Sequence, residues 1–469
     1  MVFSSLIFLY FFLPLNLLLY YISGNLFYRN VLLTLFSFFF YAWGEPVWII
    51  LLLFSALFDY GNGIWIESLN NKAKAKWVVV FSVIVNLGLL VAFKYSGFIY
   101  DNLSLIFNLP FDKPTVTLPI GISFYTFQTI SYTVDVYRGD VKAQRNPMNF
   151  LLFVSLYHQL VAGPIVRYKT IADEINGRKF QWDDFSSGIG RFCMGLFKKI
   201  VIANSAGELV DSYLINQFDL LNSATAWFGL TMFAIQIYFD FSGYSDMAIG
   251  LGKMFGFHYD ENFKNPYAAN SITDFWRRWH ISLSSFFRDY VYIPLGGNKK
   301  GGVRMYLNIL IVWALTGFWH GASWNYILWG LYFAILLFME KGFLLTFYDW
   351  APRIIRVLLT LIFVVFGWSL FYFENLDKWI LFCKQLFDFS PNQTVSFYFD
   401  LKQNLYWFIL VLLFCIPWDE YKFVSARYAL LNQTVVFNSF KIIIHIAILI
   451  LCTSFLVGSS YNPFLYFRF

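Results

Sequence analysis

Apolar runs of membrane-spanning length, separated by short polar stretches, dominate the chain. A bilayer-crossing helix needs about 17–25 mostly apolar residues. Candidate spans lie at Ser4–Tyr21, Val31–Trp43, Val47–Ile66, Trp77–Phe93, Leu118–Val136 and Phe150–Val166. They continue at Gly188–Ala203, Ala224–Phe241, Met305–Trp319, Trp324–Met339, Val357–Tyr372, Leu405–Ile416 and Phe440–Leu456. Several are short or carry Pro or Gly, and a broken helix at membrane depth needs protein or a water-filled cavity around its backbone. The pattern therefore predicts an all-α polytopic membrane protein with about eleven full spans plus re-entrant or amphipathic helices. The first run has no basic leader and no cleavage site, so it is expected to be retained.

Composition narrows the class. Of 469 residues, 59% are apolar, 23% aromatic and only 13% charged, against about 25% charged in a soluble domain. So few charges cannot clothe a water-facing surface, and so much apolar side chain excludes a disordered chain. The net charge of +6 is small and dispersed, which excludes a nucleic-acid partner and leaves membrane lipid as the surroundings. The four cysteines are far apart without a CxxC, so neither a disulfide framework nor a metal site is indicated. Basic residues in short loops set orientation. Arg29 follows the first span, Lys72, Lys74 and Lys76 the third, and Arg138, Lys142 and Arg145 the fifth, while the turn at Gly44–Pro46 carries only Glu45. Odd-numbered spans thus run from outside to inside, with Met1 outside the cytoplasm.

From Gly163 to Gly302 short apolar pieces alternate with basic residues, among them Arg277, Arg278, Lys299 and Lys300. These serve as orientation signals at the headgroups, or a subset forms a basic funnel for a phosphorylated donor. Neither a P-loop nor a GxGxxG signature occurs, which argues against nucleotide hydrolysis.

Five histidines are present: His158, His258, His280, His320 and His445. His445 sits in an aliphatic run and reads as packed or interfacial, His258 lies in a polar loop and reads as solvated, and His158 is ambiguous. His320 ends the apolar run Trp313–His320. An ionisable group at such depth points to function, and burial favours its uncharged ring, which can take a proton. Gly317 and Gly321 flank it and permit close approach of another backbone or of a slender acyl chain. His280 closes Trp276-Arg277-Arg278-Trp279-His280. A continuous helix would put Trp276, Trp279 and His280 on one face and turn both arginines elsewhere. Asp240 and Asp246 fall in a Gly/Ser-interrupted stretch, Tyr238–Asp246, and either orient a histidine or act as salt-bridge partners.

Three blocks carry a resemblance. Trp276–Ser284, Arg288-Asp289-Tyr290-Val291-Tyr292-Ile293-Pro294-Leu295-Gly296-Gly297-Asn298 and Gly317-Phe318-Trp319-His320-Gly321 closely resemble the membrane-bound O-acyltransferase family (MBOAT). The likeness is narrower to its bacterial alginate O-acetyltransferase (AlgI-like) branch. Supporting stretches are Pro119–Gln128, Gln159–Tyr168 and Tyr238–Asp246.

The resemblance implies a single integral-membrane domain over 1–469, with many helices around a central tunnel and a catalytic core near 119–345. It implies His320 at the tunnel's pinch, His280 as the second catalytic position, and Trp319, Asp240 and Asp246 in support. Trp276, Arg277, Arg278, Lys299 and Lys300 would bind the donor. That donor would be a cytoplasmic thioester, acetyl-CoA or a carrier-protein thioester, with no bound cofactor and no metal. The acceptor would lie across the bacterial inner membrane, on the periplasmic side that also holds the N-terminus. The tail 458–469, ending Pro463-Phe464-Leu465-Tyr466-Phe467-Arg468-Phe469, is similar to an FxYFxF motif whose tyrosine is proposed to relay the acyl group. On that pattern Tyr466 is a third catalytic residue, and an SGNH-hydrolase-like periplasmic acetyltransferase is the partner.

Two readings from other classes stay open at this point. One is a transporter or lipid-linked sugar flippase, which also uses broken helices and intramembrane polar groups. The other is a non-catalytic scaffold of an envelope glycan complex. Within the family, D-alanyl transfer is the alternative to acetyl transfer.

Overall fold

Helices are the only regular structure among the described residues, as expected where every backbone polar group must find its partner without water. The computed structural model describes residues 1–107, 112–161, 163–299, 301–391, 396–432, 434–458 and 464–465. Lys300 and Tyr466 lie outside them.

Six described helices are long and apolar enough to cross a membrane: Ile49–Ser68, Lys72–Ser104, Gly302–His320, Trp324–Trp350, Arg353–Tyr372 and Val435–Gly458. Shorter apolar helices run over Phe8–Ile22, Leu26–Ala42 and Leu405–Cys415. At 1.5 Å per residue a 20-residue helix covers about 30 Å, the thickness of the hydrocarbon layer. Ile442, Ile443, Ile446 and Ile450 on the Val435–Gly458 helix all face outward, which suits lipid rather than water.

The remaining expected spans are divided differently from the reading of the sequence. Phe150–Val166 is not one span: the helix Pro147–Ser155 stops at Leu156 and a single turn, Tyr157–Leu160, follows. The break buries Ser155, His158 and Gln159 and keeps their polar atoms out of lipid. Conversely, Ser223–Met254 is one unbroken helix of 32 residues that passes straight through the expected Gly/Ser interruption. Gly243 is there for contact: a Cβ at that position would stand 2.8 Å from the Gly195 carbonyl oxygen.

The chain divides into two compact units, Met1–Phe192 with Tyr244–Asp260, and Cys193–Gly243 with Glu261–Phe469. In the first, Arg178 is a buried tie, donating to the Asn30 side chain (2.6 Å) and to the Tyr20 hydroxyl (3.1 Å) while lying over the Phe257 ring. His158 is buried there too, stacked on Phe255 with Nδ1 3.3 Å from the Tyr259 hydroxyl. His258 is not simply solvated: it bridges Glu174 (2.7 Å) and Asp184 (3.1 Å). Asp246 belongs to this unit and pairs with Arg191 at 2.7 Å.

Candidate active site

The second unit contains His280, His320 and Asp240. His280 is placed by a break in a helix. The short helix Ile272–Arg278 begins at Ser271, whose hydroxyl accepts the Asp274 N–H at 3.0 Å, and the buried Glu340 carboxylate accepts the Thr273 N–H at 3.1 Å. Both are N-terminal caps, which suit the orphan donors and positive end of a helix. The expected continuation through His280 does not occur. Trp279 is extended and His280 is left-handed, at φ 44° and ψ 55°, before a new helix runs over Ile281–Phe287.

Two backbone bonds clamp the break. Lys264 N–H donates to the Arg278 carbonyl (2.9 Å) and Ile281 N–H to the Asn262 carbonyl (3.0 Å). Such a conformation costs a non-glycine residue about 1–2 kcal/mol and persists only where the surroundings over-determine it.

Asn262 also fixes the imidazole. Its Oδ1 accepts from the Ser282 backbone N–H (3.2 Å) and hydroxyl (2.9 Å) and stands 3.2 Å from His280 Nδ1. A backbone N–H can only donate, so the amide oxygen faces the ring and Nδ1 must carry the proton. His280 Nε2 is then the lone-pair nitrogen. Nothing in the spacing of the sequence marks Asn262, which acts from 18 residues away.

His320 ends the Gly302–His320 helix and is buried among rings, with centroids 4.9 Å from Trp319, 5.0 Å from Trp329 and 5.2 Å from Phe371. Gly317 admits another backbone and not a ligand, since a Cβ there would overlap the Tyr326 carbonyl. Gly321 does the same for the Tyr326 ring. Gly330 answers from the facing helix against the Trp313 carbonyl, so Gly302–His320 and Trp324–Met339 touch closely and hold His320 rigidly.

Two cavities meet at His320. The larger, about 400 Å³, is lined by Trp276, Arg277, Trp279, His280, Arg288, Tyr292, Thr316, His320 and Lys341 among others. That volume is in the range of small-molecule sites. Arg277 and Arg288 are exposed and Lys341 half-buried, so three cations line the cavity, of which Arg288 also pairs with Asp289 at 2.7 Å. The smaller, about 20 Å³, is lined by Asp240, Phe241, Trp279, His320, Trp329, Phe371 and Leu465. Trp279 and His320 are common to both, a shared wall.

Of the residues expected to bind a donor, Trp276 and Arg277 line the larger cavity. Arg278 does not: it pairs with Asp274 at 2.8 Å and with Glu420. Lys299 is exposed and is not among the lining residues. The sequence reading passed over Lys341 and Glu340, which follow an apolar run without any motif. Trp319 stands edge-on to both His280 and His320, at 6.0 and 4.9 Å. Asp240 meets Lys199 at 2.6 Å. Among the described residues no cluster of His, Cys, Asp and Glu has the makings of a metal site.

A site of this kind has a buried imidazole at His320, a second imidazole of fixed tautomer and a cavity lined in part by cations. It can bind an anionic donor and move a proton as a group passes between two acceptors. Comparison with known proteins points the same way. Residues 141–378 match the model of the MBOAT, membrane-bound O-acyltransferase family. A probable alginate O-acetylase AlgI of Pseudomonas syringae pv. tomato is 45% identical over 384 residues, 80% of this chain and 73% of that one. The peptidoglycan O-acetyltransferase of Helicobacter pylori is 34% identical over 412 residues, 81% and 78% of the two chains. The teichoic acid D-alanyltransferase of Bacillus subtilis is 30% identical over 277 residues, 54% and 68%. The chain belongs to the membrane-bound O-acyltransferase family, in its AlgI-like branch, and is a multi-pass membrane O-acyltransferase.

Proposed function

We propose that this enzyme takes an acetyl group from a cytoplasmic thioester, acetyl-CoA, and delivers it across the inner membrane for O-acetylation of an exported polysaccharide. The observation that carries the reading is the wall of Trp279 and His320 between the two cavities. The donor's phosphates meet Arg277, Arg288 and Lys341, and the thinner acyl-bearing arm runs inward toward His280 and His320. Arginine suits phosphate by its fork of donors. The N-terminus is then periplasmic.

An acceptor hydroxyl is a weak nucleophile until a base takes its proton. His320 removes that proton as the oxygen attacks the acyl carbon; the C–O bond forms, the C–S bond breaks, and the proton returns to the sulfur, which leaves as a thiol. His280, with Nδ1–H committed to Asn262, presents Nε2 to the cavity and relays that proton. The acceptor is the phenol of Tyr466. The resulting aryl ester keeps much of the thioester's transfer potential, and a periplasmic SGNH-hydrolase-like partner moves the acetyl group on to the glycan. Acetyl is favoured over D-alanyl because the relatives named for acetylation match more of the chain at higher identity.

His320→Ala should lower acetyl transfer by about 10²–10⁴-fold, the usual worth of a general base, while the protein still inserts and folds. Undiminished transfer would reject His320 as the general base. Incubation with labelled acetyl-CoA, followed by mass spectrometry, tests the relay. An acetyl adduct on the terminal peptide, lost in Tyr466→Phe, is expected, and label passing through without an adduct argues for direct transfer.

A further inference from the structure

We propose that the Lys199–Asp240 ion pair is the docking post for the carboxyl-terminal tail, and that Lys199 and Asp240 are positioning residues for whatever the tail carries. The pair is one of the most enclosed in the molecule: 2.6 Å between Nζ and Oδ1, with both side chains only 3% exposed. Burying two charges is costly unless their remaining hydrogen-bonding capacity is used. A carboxylate bound end-on to one lysine has a second oxygen to satisfy. Here Oδ2 accepts the backbone N–H of Leu465 at 2.9 Å. Phe464 meanwhile places its ring 5.8 Å from the lysine nitrogen, within reach of a cation–π attraction. Both tail residues are buried.

The location gives this contact its use. Asp240 and Leu465 line the small cavity together with His320. Recognition through a main-chain N–H fixes where residue 465 sits whatever its side chain. The ion pair thus determines whether residue 465 is held at the His320 cavity. Docking does not depend on the acetyl-tyrosine reading; only its consequence for transfer does.

Labelling tests the docking directly. In Leu465→Cys, which keeps the N–H, the new thiol should react slowly with N-ethylmaleimide. Adding Lys199→Met with Asp240→Leu, a neutral apolar pair, should speed labelling of that peptide by about tenfold or more, the factor one charge-assisted hydrogen bond carries. The buried Cys193 and Cys452 are internal reporters of folding and should stay slow. Unchanged labelling at residue 465 would overturn the proposal and leave the pair as a tie between helices.

If the double substitution exposes the native thiols too, the tail itself decides. With the probe at Phe464→Cys, Leu465→Pro removes the N–H and should raise labelling, whereas Leu465→Ala should not. Equal rates for proline and alanine would sink the idea. If labelling rises while acetyl transfer persists, the docking stands and the tyrosine relay falls.

Discussion

Asp240 and Asp246 stand six positions apart on one helix, yet they live in different circumstances. Asp240 and its lysine are 3% exposed each. Arg191 and Asp246 are 25% and 14% exposed, at a similar separation of 2.7 Å. Asp240 borders a cavity that His320 and Leu465 of the tail also line; neither Arg191 nor Asp246 lines either cavity at His320. Proximity in sequence therefore says little about the role of a membrane carboxylate. Which neighbours desolvate it, and what else they touch, decides.

Single removals should separate the two pairs most strongly. Asp240→Leu leaves Lys199 as an uncompensated buried charge and should cost about 3–5 kcal/mol, seen as a large fall in thermal midpoint in detergent and loss of acyl transfer. Asp246→Leu should cost about 0–1 kcal/mol, as for a partly solvated pair, with transfer nearly intact. Equal losses would break the contrast. Ionic strength gives a finer test: 1 M salt, with a screening length of about 3 Å, should weaken what Asp246 contributes and leave Asp240's contribution unchanged, measured as the difference between wild type and each variant.

The smallest effect belongs to His258, half exposed between two carboxylates. Burial pushes its imidazole down, but Glu174 and Asp184 outweigh that and hold it above the ordinary value of 6.5. A histidine held high stabilises the fold fully below about pH 6.5 and loses that contribution as pH rises through the raised value. The thermal midpoint should therefore decline modestly with rising pH above 6.5, and His258→Gln should flatten the decline. A slope that survives His258→Gln assigns the titration elsewhere.

Much of this was legible in the residues alone. The long apolar runs announced the membrane, and His280 and His320 stood out because ionisable side chains beside tryptophans and glycines are expensive there. Other features were not visible. Helix periodicity put Trp276 and His280 on one face of one helix, but the clamp from Asn262 and Lys264 breaks that helix, and no local pattern encodes a clamp. Gly243 read as an interruption because glycine weakens helices, whereas in a packed bundle its missing Cβ is what lets two backbones touch. Lys199 and Asp240 are 41 positions apart, and only folding shows them as partners. Lys341 and Glu340 end an apolar run and look like an ordinary span boundary, although one lines the larger cavity and the other caps the helix Ile272–Arg278.

The left-handed backbone at His280 also dictates how that residue can be studied. Alanine there would remove the imidazole and keep the conformational strain, so the backbone could relax and carry Trp279 with it. Glycine is at ease at φ 44°. His280→Gly therefore deletes the ring alone and leaves a hole of its own shape, so that free imidazole supplied in solution becomes a way of asking whether the missing ring was needed for its chemistry or only for its bulk.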